Sequence, residues 1–221
     1  MNILDAKWLV IDTETTGPDP AVARIVELGA VPFDGGRAGQ RMGTLINPGV
    51  PIPDAASAVH GISSADIRES PRLDEVDERF LAHVRSADVL VGYNFSHFDA
   101  PILQRSIGPR WDMAVVGKPV IDPLVIVRLD SVGRFWKGHG RHKLTSVCER
   151  LHIPRPPNAH RATADCLMTG ALLWHLLTRH KGGLALPRET DALEAHLRVH
   201  AARQQADFDR WRASQRQRGD A

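Results

Sequence analysis

The chain has 221 residues and a formal net charge of +2 at pH 7. This length is typical of one domain with a short appendage, and the balanced charge neither indicates nor excludes a polyanionic partner. Two cysteines cannot form a disulfide framework, and the sequence has no cysteine and histidine spacing of a zinc site. No signal segment begins the chain and no apolar stretch is long enough to span a membrane. We therefore expect a cytoplasmic protein.

Three short apolar runs near the beginning of the chain predict three buried strands. They lie at residues 8–11, 25–33 and 40–46. Turn residues follow the second and third runs, so we expect the strands to form an antiparallel meander.

Helical and extended patterns alternate after the meander. Apolar spacing predicts helices at residues 66–84, 98–107, 143–151 and 162–180, and a strand at residues 89–93. Residues 119–127 are expected to begin as a strand and to pass into a helix. Three strands followed by this alternation predict an α/β domain with a mixed sheet. Two glycines at 182 and 183 indicate that the domain covers residues 1–181 and that residues 182–221 form a C-terminal helical extension.

The predicted C-terminal helix, over residues 187–218, carries an apolar stripe. Its members are Leu193, Leu197, Ala201, Gln204, Phe208 and Trp211. We expect such a stripe to pack against its own domain. Docking of a partner or of a second copy of the chain is the alternative.

Carboxylates occur at the end of one predicted strand and at the beginning of one predicted helix. Asp12 and Glu14 are two residues apart at the end of the first strand, so their side chains point to the same face. Neighbouring carboxylates repel each other, and a divalent cation offsets the repulsion. A solvated acidic strand end is the alternative. Asp99 begins a helix, where the helix dipole favours a carboxylate without any function.

A further motif combines His160 and Asp165. Five helical positions correspond to a rotation of about 500°, so the two side chains can serve one site only if His160 lies at the helix start or in the preceding loop. The Pro-rich segment at residues 154–157 allows this placement. The alternative is a surface histidine and an exposed aspartate.

Together these motifs resemble the DEDDh exonuclease superfamily, which includes the epsilon proofreading subunit of bacterial replicative DNA polymerase, exonuclease X and ribonuclease T. The resemblance covers residues 7–180 and depends on three separated motifs in the family's order. Supporting matches are at residues 25–31, 60–62 and 121–124. The resemblance implies a ribonuclease H-like fold, in which helices flank a mixed five-stranded sheet.

The resemblance also implies a reaction, the metal-dependent 3′→5′ release of nucleoside monophosphates from DNA in repair or proofreading. Asp12, Glu14, Asp99 and Asp165 would hold two Mg²⁺ or Mn²⁺ ions roughly 4 Å apart, with Asp12 bridging them. Glu14 and Asp165 would complete the ion that binds the attacking water, and Asp99 would position the other. His160 would be the general base.

Further positions match residues that contact the terminal nucleotide in the family. They are Thr13, Thr15, Thr16, His60, Asn94 and Phe95. Phe98 is expected in the core, and Tyr93 departs from the histidine that is common before the asparagine. The expected partners are single-stranded or frayed 3′ ends of DNA, with a polymerase or repair protein or a second copy of the chain as a candidate for the C-terminal helix. We expect no membrane partner.

Cations alternate with aromatic residues in the segment over residues 128–143. It contains Arg128, Arg134, Lys137, Arg141 and Lys143, with Phe135, Trp136, His139 and His142 between them. This pattern suits phosphate contact and base stacking, so we expect contact with the nucleic acid strand. A solvated loop with an inward-packed tryptophan is the alternative.

Two other functions compete with a DNA exonuclease. An RNA 3′-end trimming exonuclease would use the same site, and only the 2′-OH separates the substrates. A non-catalytic nucleic-acid-binding module would have lost at least one metal-binding carboxylate, but all four carboxylates and the histidine are present.

Overall fold

A computed structural model describes residues 1–136, 138, 140–156, 161–179 and 184–219, with side chains as far as residue 214. The strands in these residues are β1 (Trp8–Thr15), β2 (Ile25–Asp34), β3 (Arg37–Ala38), β4 (Met42–Leu45), β5 (Val89–Val91) and β6 (Val120–Ile121). The helices are α1 (Asp54–His60), α2 (Leu73–Ser86), α3 (Asp99–Ile107), α4 (Pro109–Val115), α5 (Pro123–Val127), α6 (Leu144–Arg150), α7 (Ala162–Thr178) and α8 (Thr190–Gly219).

The strands form one mixed sheet in the order β3-β2-β1-β5-β6, with β4 also paired to β2. β2 runs antiparallel to β1, β3 and β4. β5 is parallel to β1, and β6 is parallel to β5. The predicted α/β class and the antiparallel meander are therefore confirmed.

The sheet has six strands instead of the predicted five, because the third strand is interrupted. Pro32 lies within β2, and its carbonyl accepts a hydrogen bond from the Gly39 N–H at 2.8 Å. The N–H and C=O groups of a strand residue point to the same side, so the N–H that proline lacks would have faced the third strand. Pairing stops there and divides that strand into β3 and β4.

Hydrophobic side chains cover both faces of the sheet. In β1, Trp8 and Val10 pack with α5 to α8, whereas Leu9 and Ile11 pack with α2 to α4. Strand side chains alternate between faces, so a continuous apolar run fills both cores. The core supports β1 on both sides and fixes the position of its C-terminal end.

One helix prediction needs correction, and two short helices were not predicted. The helix expected at residues 66–84 begins only at Leu73, where the Arg72 N–H donates to Glu75 Oε2 at 2.6 Å and caps the first turn. Residues 64–69 instead form turns. The short helices α1 and α4 were not predicted, since each has only seven residues and too few turns to show a periodic pattern.

The C-terminal helix α8 is only partly packed on the domain. Leu193 and Leu197 are buried in the core, but Phe208 is 49% exposed and Trp211 is 57% exposed. The first half of the apolar stripe therefore packs as expected and the second half does not. The domain boundary predicted at residues 181 and 182 lies outside the described residues and stays a prediction.

None of the helices in the described part of the chain combines the length and the apolar character that a membrane crossing requires.

Candidate active site

Three carboxylates meet at the C-terminal end of β1. Asp12 and Glu14 extend from the same face of the strand, and Asp165 extends from the first turn of α7. Each offers one ligand oxygen, and these three atoms lie within 4.8 Å of one another. Residues far apart in the sequence thus form one site that is able to hold a metal ion.

Two glycines allow α7 to approach the sheet closely enough to form this site. A Cβ atom on Gly29, which pairs with Asp12, would lie 2.6 Å from the carbonyl carbon of Ala162. A Cβ atom on Gly43 would lie 2.7 Å from the methyl group of Thr163. Only glycine fits at these contacts, and the close approach carries the first turn of α7 to β1.

A buried ion pair fixes the beginning of α7. Glu27 lies on β2 opposite Glu14 and is 4% exposed. Its carboxylate accepts hydrogen bonds from Arg161 Nε at 2.9 Å, from Arg161 Nη2 at 2.7 Å and from the Ala162 N–H at 3.0 Å. No role of Glu27 was predicted from the sequence. A single charged residue within an apolar strand could have indicated this role, because a buried charge requires a partner.

The fourth predicted carboxylate, Asp99, lies beside the cluster at the first residue of α3. It is 3% exposed, and its Oδ1 atom accepts hydrogen bonds from the Thr13 N–H at 3.0 Å and from Thr13 Oγ1 at 2.6 Å. Thr13 therefore fixes Asp99 next to the β1 residues.

The loop before α3 is held by a residue whose role the sequence analysis missed. Asp122, the residue before α5, accepts hydrogen bonds from the Asn94 N–H at 3.0 Å and from the Leu124 N–H at 2.9 Å. Asn94 has a φ angle of +63°, a left-handed conformation that asparagine tolerates. The Tyr93 hydroxyl donates to the His142 carbonyl at 2.5 Å and ties this loop to residues 128–143.

Burial and mutual repulsion disfavour the charged forms of the carboxylates. Burial is the main cause that raises the pKa of Asp12 well above its usual value, and the charge of Asp99 adds to it. Burial and the neighbouring Asp165 raise the pKa of Glu14 to about 8. Burial raises the pKa of Asp99 to about 7, against the hydrogen bonds from Thr13. A hard divalent cation with a preference for oxygen ligands fits this donor set and would offset the repulsion.

The threonines of the first motif have local hydrogen bonds. The hydroxyl of Thr15 donates to the Gly17 carbonyl at 2.8 Å, and that of Thr16 accepts from the Arg24 N–H at 3.0 Å. The Thr13 hydroxyl donates to Asp99, so the side chains of all three threonines form hydrogen bonds that hold the residues around the site. Their contact with a nucleotide stays a prediction.

The two phenylalanines near Asn94 differ in burial. Phe95 is 1% exposed and packs against Trp111 in the core, whereas Phe98 is half-buried and packs against the same core. Gly92 makes room for Phe95, since a Cβ atom there would lie 2.6 Å from its ring. Contact of Phe95 with a nucleotide stays a prediction.

His60, the last residue of α1, is buried, and burial lowers its pKa. Its Nδ1 atom accepts from the Ile62 N–H at 3.1 Å. Its Nε2 atom has no hydrogen bond of ordinary geometry among the described residues, although the nearby Thr15 backbone opposes the lowering of the pKa. His160 lies outside the described residues, so its predicted role stays a prediction.

A family model described as an exonuclease, RNase_T, matches residues 9–173. The chain belongs to this exonuclease family. The resemblance to DEDDh exonucleases is thereby confirmed, and so is the assignment of the mixed sheet to the ribonuclease H-like fold of such exonucleases. The match includes every carboxylate of the site and ends before α8.

Similar curated proteins include some that are named after DNA polymerase III. The chain is 38% identical over 177 residues to a DNA polymerase III subunit epsilon-like protein of Rhodobacter capsulatus, covering 77% of this chain and 23% of that protein. It is 27% identical over 176 residues to the DNA polymerase III subunit epsilon of Aquifex aeolicus, covering 80% and 83%. The chain spans less than a quarter of the length of the first curated relatives that it matches.

Among solved structures, exonuclease X in complex with 5′ overhanging duplex DNA is similar, with a TM-score of 0.61 and 25% sequence identity. The similarity covers 85% of this chain and 98% of that one.

Proposed function

We propose that this chain is a metal-dependent exonuclease that removes nucleoside monophosphates from the 3′ end of DNA. The observation that carries the proposal is the meeting of Asp12, Glu14 and Asp165, whose ligand atoms lie within 4.8 Å of one another. Relatives named as DNA polymerase III epsilon proteins, and the DNA complex of exonuclease X, support DNA as the substrate.

The carboxylates would hold Mg²⁺ or Mn²⁺, two ions in each site. Asp12, Glu14 and Asp165 would supply most of the protein ligands, and Asp99 would complete the set beside Thr13. Bound ions of this kind activate the attacking water and stabilise the departing 3′ oxygen. The buried surroundings strengthen these charge interactions because they exclude water.

His160 would take the proton from the attacking water. An imidazole has an unperturbed pKa close to neutrality, which suits a general base at physiological pH. The next residue, Arg161, is held by Glu27 at the beginning of α7. The ion pair therefore fixes the residue that follows the proposed base.

The terminal nucleotide would enter between the end of β1, the end of α1 that carries His60, and the loop that carries Asn94. The buried Nε2 atom of His60 has no hydrogen bond of ordinary geometry among the described residues. An unsatisfied buried polar atom is unfavourable, and a hydroxyl of the terminal sugar would give it a hydrogen bond.

The test is a time course on two single strands of identical sequence, one DNA and one RNA, in Mg²⁺, in Mn²⁺ and in EDTA. We expect metal-dependent shortening that is faster for DNA. Asp12→Asn removes one ligand charge at nearly constant volume and is expected to abolish shortening. Asp5→Asn, at an exposed position outside the site, is the matched control.

Two outcomes would change the proposal. Faster shortening of the RNA strand would assign the chain to RNA trimming. Binding of either strand with no shortening in Mg²⁺ or Mn²⁺ would favour a non-catalytic nucleic-acid-binding module.

A further inference from the structure

A groove of about 1310 Å³ lies between the segment of residues 128–143 and the exposed half of α8. Arg128, Arg141 and Lys143 line one wall, and Arg203 lines the α8 wall. This second wall lies beyond residue 173, where the family match ends.

The groove is cationic. No residue in the described part of the chain forms a salt bridge with Arg128, Arg141, Lys143 or Arg203. The two acids that line the groove, Asp130 and Asp207, both face Arg134, at 2.8 Å and 3.7 Å. Asp207 also pairs with Arg210, so two arginines offset the two acids. The four cations that have no salt bridge among the described residues remain for an anionic ligand.

Aromatic rings lie on the same wall as Arg203. Phe208 and Trp211 are about half exposed and both line the groove. Their rings are stacked, with centroids 5.8 Å apart and an interplanar angle of 25°. Exposed aromatic rings beside unpaired cations are the combination that binds single-stranded nucleic acid, since the rings stack on bases and the cations contact phosphates.

The groove borders the loop that precedes α3. Asn94 and His97 belong to its lining, and Asp99 follows them in the chain at the beginning of α3. The α8 wall is held in place because Leu197 is buried and Gln204 Nε2 donates to the Val125 carbonyl at 3.1 Å. A strand that lies in the groove would lead towards the carboxylates.

We propose that this groove binds the single-stranded part of the substrate, on the 5′ side of the nucleotide that is removed. The inference rests on the proposed exonuclease function and adds a strand-binding site that α8 contributes. Phosphates would lie along Arg128, Arg141, Lys143 and Arg203, and one or two bases would stack on the rings of α8.

The test measures binding and cleavage separately. Fluorescence anisotropy of a labelled 20-nucleotide DNA strand in EDTA gives Kd without hydrolysis. Trp211→Ala is expected to raise Kd about tenfold, the scale of one lost stacked base. Arg203→Gln is expected to reduce the slope of log Kd against log salt by about 0.7, the contribution of one phosphate contact on a single strand. Val199→Ala and Arg198→Gln, on α8 outside the groove, are the matched controls.

Cleavage separates this inference from the proposed function. In Mg²⁺, the two groove variants should lose more activity on the 20-nucleotide strand than on a dinucleotide, which offers only one phosphodiester group to the four cations of the groove. If the wild-type protein cleaves neither substrate, the proposed function fails. If it cleaves both and the groove variants match their controls in Kd and salt slope, the groove inference is overturned.

The alternative occupant is a second copy of the chain. Sedimentation of the wild-type protein and of Trp211→Ala tests it directly. A dimer that Trp211→Ala dissociates, with DNA binding unchanged, would make this face an interface between copies and overturn the inference.

Discussion

Glu27 on β2 and Arg161 before α7 form a two-point ion pair, with N–O distances of 2.9 and 2.7 Å, that joins the sheet to the helix carrying Asp165. The same carboxylate caps the Ala162 N–H. We expect Glu27→Gln to lower kcat at least tenfold and to raise the Mg²⁺ concentration for half-maximal rate, because α7 and its metal ligand lose their anchor. Metal titrations of the rate check this.

The matched control for that variant is Glu78→Gln, which removes an exposed pair with Arg85 on α2. Exposed ion pairs contribute little to stability, so its kinetics should equal those of the wild type. If Glu27→Gln shows an unchanged Mg²⁺ dependence, the pair does not position the metal site.

The stability of the metal-free protein should decrease as the pH rises. The pKa values of Asp12, Glu14 and Asp99 are raised in the folded state, to about 8 for Glu14 and about 7 for Asp99. The folded state then holds protons that the unfolded state releases near its ordinary pKa. The contribution of these groups to stability is therefore complete below the ordinary carboxyl pKa and is lost progressively as the pH rises to 7 to 8. Thermal unfolding in EDTA between pH 5 and 9 measures this.

Two comparisons identify the cause of that pH dependence. Mg²⁺ should restore Tm at pH 8, and Asp12→Asn should flatten the dependence because it removes one of the repelling charges. An equal slope in wild type and Asp12→Asn would show that other groups produce it.

Thr13→Val tests the hydrogen bond that fixes Asp99. The hydroxyl donates to the ionised carboxylate at 2.6 Å and so lowers its pKa. Its removal should reduce the rate at pH 7 by about tenfold, the scale of a hydrogen bond to a charged group. The acid limb of the pH–rate profile should move to higher pH, so the rate should partly recover in alkali. Thr44→Val on β4 is the control, and a profile that falls without moving would refute this role.

Asp122 holds the Asn94 loop through two accepted hydrogen bonds. Burial raises its pKa to about 6. Asp122→Asn keeps an oxygen acceptor without a buried charge and should be close to neutral in stability. Asp122→Leu leaves one buried and one partly buried N–H group unsatisfied and should lower the free energy of unfolding by about 2 kcal/mol. Urea denaturation of both variants is the measurement, and equal losses would mean that the bonds do not matter.

Local geometry made the first motif predictable from the sequence. Side chains alternate between the two faces of a strand, and this alone places Asp12 and Glu14 on one face. The apolar runs predict the positions of β1 and β2 closely. The resemblance supplied Asp165, but its approach depends on Gly29 and on Glu27, which act between distant segments. The periodicity of apolar residues along the sequence does not indicate such contacts.

Other differences also have a physical origin. The break between β3 and β4 follows from Pro32 in the neighbouring strand, not from a signal in the broken strand itself. The stripe on α8 predicts an apolar face but not how far the domain extends beneath it. Phe208 and Trp211 lie beyond the packed part of the helix and remain exposed.

The most direct test of the central claim follows a DNA single strand with different labels at its two ends, in Mg²⁺, with the wild type and with Asp165→Asn. The wild type should release the 3′ label first as a mononucleotide and then shorten the 5′-labelled strand stepwise. Asp165→Asn should leave both labels on full-length strand. Release of the 5′ label first, internal fragments alone, or an Asp165→Asn variant as fast as the wild type would contradict a 3′→5′ exonuclease built on these carboxylates.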